Sequence, residues 1–159
     1  MSKEFWTLIK EQKATNFGGV PYTYEMLKKL RFERTNLPDL KYITQAGGKL
    51  NKNLVLEFDE ICQKKDIDFI VMYGQTEATA RMSYLPSESL NSKSGSIGIA
   101  IPNGKFSIKD ENDCEVQDND VSGELVYYGD NVSMGYSQSY HDLNNIHTNN
   151  GCLHTGDLA

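Results

Sequence analysis

The residues best equipped for chemistry lie where a core strand surfaces. The apolar run Phe69-Ile70-Val71-Met72 ends on Tyr73-Gly74 and passes directly into Gln75-Thr76-Glu77-Ala78-Thr79. The Thr76 hydroxyl could serve a phosphate, and Glu77 could offer an oxygen to Mg²⁺, which favours one or two carboxylates plus phosphate oxygens. A second strand end upstream, Ala46-Gly47-Gly48, is stripped of large side chains. Glycines there would admit a flat ring close to the backbone, and Tyr73 could stack on it. Ligands of open parallel sheets sit beyond the carboxyl ends of the strands, which is where both segments fall. The same letters also describe a solvated strand-to-loop corner, and on the residues alone that plainer reading is the commoner one.

The elements that would position these residues follow from periodicity. Phe5, Leu8 and Ile9 recur at helical spacing from Lys3 to about Lys13, and Ala14–Gly19 is a short strand running into a glycine turn. Pro21 opens a second helix, PYTYEMLKKLRFE, with Met26, Leu27 and Leu30 on one face. LKYITQAGG is a strand ending on Gly47-Gly48, and Asn51 is the N-cap of a helix whose stripe is Leu54, Val55, Phe58, Ile61 and Cys62. Helix and strand alternate up to Tyr73, which predicts an α/β fold with parallel strands and right-handed crossovers over about residues 3–80. After Pro86 the grammar changes. A Ser-rich loop, SESLNSKSGS, precedes three extended runs, SIGIAI, KFSIKD and GELVYYG, separated by Asn103-Gly104 and the acidic stretch DENDCEVQDND. These predict a small, mostly antiparallel β portion over 87–159, distinct from a parallel portion over 1–86. The final stretch, HDLNNIHTNNGCLHTGDLA, has turn composition.

Composition narrows the function classes. The 159 residues carry 38% hydrophobic and 24% charged residues, as a soluble globular domain does. A net charge of -6 argues against a nucleic-acid surface, although a local patch with a metal ion still permits ATP. The apolar run near Ile67–Tyr73 is too short for a membrane span, and MSKEFWTLIKEQK lacks the apolar stretch of a signal peptide. Cys62, Cys114 and Cys152 are odd in number and scattered, which points to a reducing cytoplasm. His147, Cys152 and His154 are ligand types without a second pair, so a turn explains them better than zinc.

The segment YGQTEATARMSYLP resembles the Tyr-Gly-x-Thr-Glu signature of the adenylate-forming enzymes, the superfamily of acyl-CoA synthetases, luciferases and peptide-synthetase adenylation domains. Four more segments resemble the family in its own order: NFGGVPYTYEML, LKYITQAGGKLNKNL, SGSIGIAIPNGKFSIKD with GELVYYGDNVSMGY, and GCLHTGDLA. They span nearly the whole chain, and they look more like acyl-CoA synthetases than amino-acid adenylation domains. The resemblance implies a part of the family's large domain. It implies that Gly47, Gly48, Met72, Tyr73, Gly74 and Gln75 line the nucleotide, with adenine between Tyr73-Gly74 and the double glycine. Thr76 would bind the α-phosphate, Glu77 would coordinate Mg²⁺, and Asp157 would accept hydrogen bonds from the ribose hydroxyls. Gly48-Lys49 stands where the family has Ala-Pro. The implied substrates are ATP, a fatty or other organic acid, and coenzyme A or a carrier-protein thiol, with an acyl-adenylate passed to that thiol.

Residues 1–72 contain nothing like the family's Ser/Thr/Gly-rich phosphate loop, and its small C-terminal domain would begin after Asp157. The expected reading is therefore a fragment that is inactive alone and needs the remainder of the same enzyme. The alternatives are a fragment of an amino-acid-activating domain, or a non-catalytic remnant that binds a nucleotide or partner. Gly151–Ala159 is expected to be among the least ordered parts, because chain ends fray unless tied down.

Overall fold

The computed structural model describes residues 3–118, 120–144 and 149–159. Helix α1 (Lys3–Glu11) leads to strand β1 (Asn16–Gly19), helix α2 (Pro21–Lys29), β2 (Tyr42–Gln45), α3 (Lys52–Lys64) and β3 (Asp68–Tyr73). Strands β1, β2 and β3 pair in parallel, with Phe17 opposite Ile43 and Ile43 opposite Phe69. Each crossover carries a helix, as the alternation predicts. Short strands β4 (Ser83–Leu85) and β5 (Ile99–Ala100) extend the sheet in the order β1-β2-β3-β4-β5. A second, antiparallel sheet holds β6 (Lys105–Lys109), β7 (Glu124–Tyr128) and β8 (Cys152–Leu158). The chain divides into two compact units, 1–73 with 84–99 and 74–83 with 100–159.

In the first unit the core is aromatic. Tyr24, Phe32, Phe58 and Phe69 are buried, and Tyr24 meets Phe58 edge-on at 5.0 Å between ring centroids. Such pairs add about 0.5–1.5 kcal/mol each beyond the area they bury. Tyr24 spends its one polar atom on the Thr44 carbonyl at 2.6 Å, and burial pushes that hydroxyl's pKa up. Helix α2 stops before the expected Glu33 because Arg31 adopts a left-handed backbone, φ 56°, and turns Phe32 inward. The Asn51 side chain accepts from the Asn53 amide at 2.9 Å and starts α3 as its composition foretold. Burial, then the nearby Asp59, push the Cys62 thiol up to about 12, so it behaves as a small apolar side chain.

In the second unit the expected strands are redistributed. KFSIKD and GELVYYG form β6 and β7 as read, but SIGIAI contributes only two residues, and to the other sheet. The third antiparallel strand is β8, from the segment whose letters describe a turn. It is tied at its end, since Ala159 and Gly123 exchange backbone hydrogen bonds at 3.0 and 3.1 Å. The fraying expected of Gly151–Ala159 is thus corrected. Turn-forming residues sit inside a strand because β7 supplies a ladder that local composition cannot reveal.

Candidate nucleotide site

The candidate residues divide between the two units, and each half has its own supports. In the first unit, Gly47 and Gly48 follow β2 with φ of 73° and 143°, a backbone region that favours glycine. The turn is pinned by Gln45, only 1% exposed, whose Nε2 donates to the Gly48 carbonyl at 2.8 Å and the Ala46 carbonyl at 3.3 Å. A buried amide costs free energy unless bonded, so this side chain rigidifies the double glycine. Met72 and Tyr73 end β3, both half-buried.

In the second unit, Gln75 enters a single 3-10 turn, Thr76–Ala78, closed by Thr79 and Ala80 at positive φ. The turn folds back on Gly74 so closely that a Cβ there would lie 2.6 Å from the Ala80 carbonyl oxygen. Ala78 is buried, whereas Thr76 is exposed and Glu77 half-buried. Asn131 clamps the turn: its Nδ2 donates to the Ala78 carbonyl at 2.7 Å and the Arg81 carbonyl at 2.9 Å. Its Oδ1 accepts from the hydroxyl of the fully buried Tyr127 at 2.9 Å. The Ser133 amide donates to the Glu77 carbonyl at 2.6 Å, and the Tyr136 hydroxyl donates to the Glu77 carboxylate.

Asp157 reaches this turn by way of a bulge. Glu124 pairs with Leu158 and Val126 with His154, so two steps along β7 match four along β8. Thr155, Gly156 and Asp157 thus stand opposite Leu125 alone, and Gly156 takes the left-handed φ of 72° that the bend requires. The Gln75 Nε2 then donates to the Thr155 carbonyl at 2.8 Å and the Asp157 carboxylate at 3.3 Å. The signature turn and the aspartate bulge, 80 residues apart in sequence, are thereby joined. One carboxylate at Glu77 beside the exposed Thr76 hydroxyl is a donor set that suits Mg²⁺ carrying phosphate. Among the described residues no group of three or more His, Cys, Asp or Glu could hold a metal by itself, and His147 lies outside them. The cleft of about 350 Å³ lined by Asp59, Asp66, Asp68 and Glu88 opens at the start of β3, opposite Tyr73. Its acidic lining is wrong for a phosphate.

Sequence reasoning named the residues that would touch a ligand and missed those that hold them: Gln45, Asn131 and Tyr136. Asn131 and Tyr136 lie within GELVYYGDNVSMGY, but the letters of that segment do not say what they bond. Comparison with known proteins bears on the whole arrangement. The profile of the family described as "AMP-binding enzyme" matches residues 1–137. This chain belongs to that family. Marinolic acid–CoA ligase of Pseudoalteromonas sp. is 30% identical over all of the chain and 24% of its own length. The 2-succinylbenzoate–CoA ligase of Bacillus cytotoxicus is 32% identical over 85% of the chain and 26% of its own length. The chain thus spans about a quarter of these relatives. The o-succinylbenzoate CoA synthetase of Bacillus subtilis, solved with ATP and magnesium ion, superposes with a TM-score of 0.78 at 23% identity, over 99% of this chain and 32% of that one. That likeness establishes the fold of this AMP-binding enzyme segment, a sheet with parallel strands and helices plus a small antiparallel sheet. Among its described residues no helix is long and apolar enough to cross a membrane.

Proposed function

We propose that this chain carries the nucleotide-holding part of an ATP-dependent acid–CoA ligase, which activates a fatty or other organic acid as an acyl-adenylate and passes it to the thiol of coenzyme A. The observation that carries the reading is the Gln75 amide on Thr155 and Asp157, which brings the signature turn to the aspartate bulge. Gly47, Gly48, Met72, Tyr73 and Gly74 take the adenine. Asp157 accepts from the ribose hydroxyls as a charge-assisted bond, and Gln75 orients its carboxylate. Thr76, exposed on its turn, donates to the α-phosphate, and Glu77 holds Mg²⁺. Bound with the phosphates, Mg²⁺ supplies positive charge against the charge that develops on their oxygens. The Tyr136 hydroxyl, which donates to Glu77, would share that carboxylate with the metal. Relatives named for 2-succinylbenzoate and marinolic acid support an organic acid and coenzyme A here. Three thiols without disulfides suit a cytoplasmic setting.

By themselves the 159 residues are expected to sit at background in carboxylate-dependent pyrophosphate exchange, because they span about a quarter of the ligases they resemble. Titration with Mg-ATP should nonetheless give binding, roughly millimolar given the few phosphate contacts. Robust exchange by this chain alone would refute the division of labour. Binding by the complete protein without any exchange would favour a nucleotide-binding module over a ligase.

A further inference from the structure

The bulge that presents Asp157 is held from β7 by one side chain. Glu124 uses both carboxylate oxygens on β8: Oε1 accepts from the Gly156 amide at 3.0 Å and Oε2 meets His154 Nδ1 at 2.8 Å. Gly156 is the left-handed residue at the bend, and His154 is the last residue in register before it. A carboxylate spanning these two positions clamps the start of the distortion and its bend. The hydrogen bond from His154, then that from the Gly156 amide, hold the Glu124 carboxyl below the usual carboxylate range. The clamp is braced further out, with His154 Nε2 3.8 Å from Asp113 Oδ1, which pairs with Lys109 Nζ at 2.7 Å. Inside the bulge, the Thr155 hydroxyl donates to the Leu125 carbonyl at 2.6 Å and accepts from the Asp157 amide at 3.1 Å. The Asp157 backbone is therefore fixed from within by Thr155 and from across the sheet by Glu124.

We propose that Glu124, with His154, is a positioning residue for nucleotide ribose recognition: it fixes the β8 bulge so that the Asp157 carboxylate faces its ligand. The inference rests on the reading of Asp157 as the ribose contact. Glu124 does not touch the nucleotide. It acts on one ligand feature only, the two hydroxyls, and leaves adenine and phosphate contacts unaltered.

The test compares AMP with 2′,3′-dideoxy-AMP in NMR titrations of the 159-residue chain. Wild type should prefer AMP by about tenfold or more, the worth of a hydrogen bond to a charged group. Asp157→Asn should reduce that preference to about threefold or less. Glu124→Ala should reduce it similarly while the β6–β8 amide signals keep their dispersion and affinity for the dideoxy nucleotide is unchanged. Glu124→Gln, which retains an acceptor for the Gly156 amide, should restore part of the preference. A preference that collapses in Asp157→Asn but persists in Glu124→Ala overturns this inference alone. A preference untouched by Asp157→Asn overturns the ribose reading and this inference with it. Should Glu124→Ala lose the sheet signals, His154→Ala with the sheet intact decides: a reduced preference supports the clamp, and an unchanged one refutes it.

Discussion

Asn131→Ala is the sharpest test of how the signature turn is held. The side chain makes three hydrogen bonds, from the Tyr127 hydroxyl and to the carbonyls of Ala78 and Arg81. Truncation strands the fully buried Tyr127 hydroxyl, at about 1–3 kcal/mol, and removes two donors from carbonyls that water can partly reach, at about 0.5 kcal/mol each. The expected loss is about 2–4 kcal/mol, a large share of a typical domain's stability of about 5–15 kcal/mol. Asn131→Asp keeps an acceptor for Tyr127 but sets a carboxylate against two carbonyl oxygens, so it should be no better. Urea titration followed on the NMR signals of residues 123–128 and 152–158 gives the change by linear extrapolation. Amide exchange at residues 76–81 should accelerate in parallel. A loss under about 0.5 kcal/mol, ordinary for a surface position, with unchanged exchange at 76–81, would refute the clamp.

Other consequences are as direct. In the complete enzyme, Glu77→Gln should lower adenylate formation by orders of magnitude, with only partial rescue by added Mg²⁺; a fall of less than about threefold would remove Glu77 from the metal. Phe58→Ala, at the centre of the aromatic cluster, should destabilise the first unit by about 3–5 kcal/mol in denaturant titration. The Glu124 carboxyl is depressed in the fold, so its contribution is present above its ordinary value near 4.5 and lost as pH falls through the folded value. Stability of the second unit should therefore drop on acidification below about 4.5, and Glu124→Gln should flatten that slope in part, with Asp113 and Asp142, also depressed, carrying the rest. Hydrogen exchange without ligand should find residues 152–158 protected to a degree comparable with Phe69–Met72, as a paired strand requires.

Much of the first unit was legible because each of its signals is local. Pro21, the Asn51 cap and the stripe of Val55, Phe58 and Cys62 all act within a few residues of themselves, and parallel pairing follows from their alternation. The second unit was half legible. KFSIKD and GELVYYG declare themselves as strands, but β8 is written in Thr, Gly and Asp, and only its partner β7 makes a strand of it. The site divides along the same line. Tyr73, Thr76 and Glu77 announce themselves where a strand surfaces, and the double glycine by its composition. Gln45 is invisible as a support, since nothing local says that a polar residue at a strand end turns inward and bonds the next turn. Asn131 and Glu124 act on residues about 30 to 50 positions away, a distance over which composition carries no information.

If the signature turn and the β8 bulge hold one adenine nucleotide together, both must respond when it binds. Titration of Mg-ATP into the isotope-labelled chain tests it most directly. Concerted amide shifts are expected at Gly74–Glu77 and at Thr155–Asp157, fitting one dissociation constant of roughly millimolar size. Shifts at the turn without the bulge, or none at either up to about ten times that concentration, would contradict it.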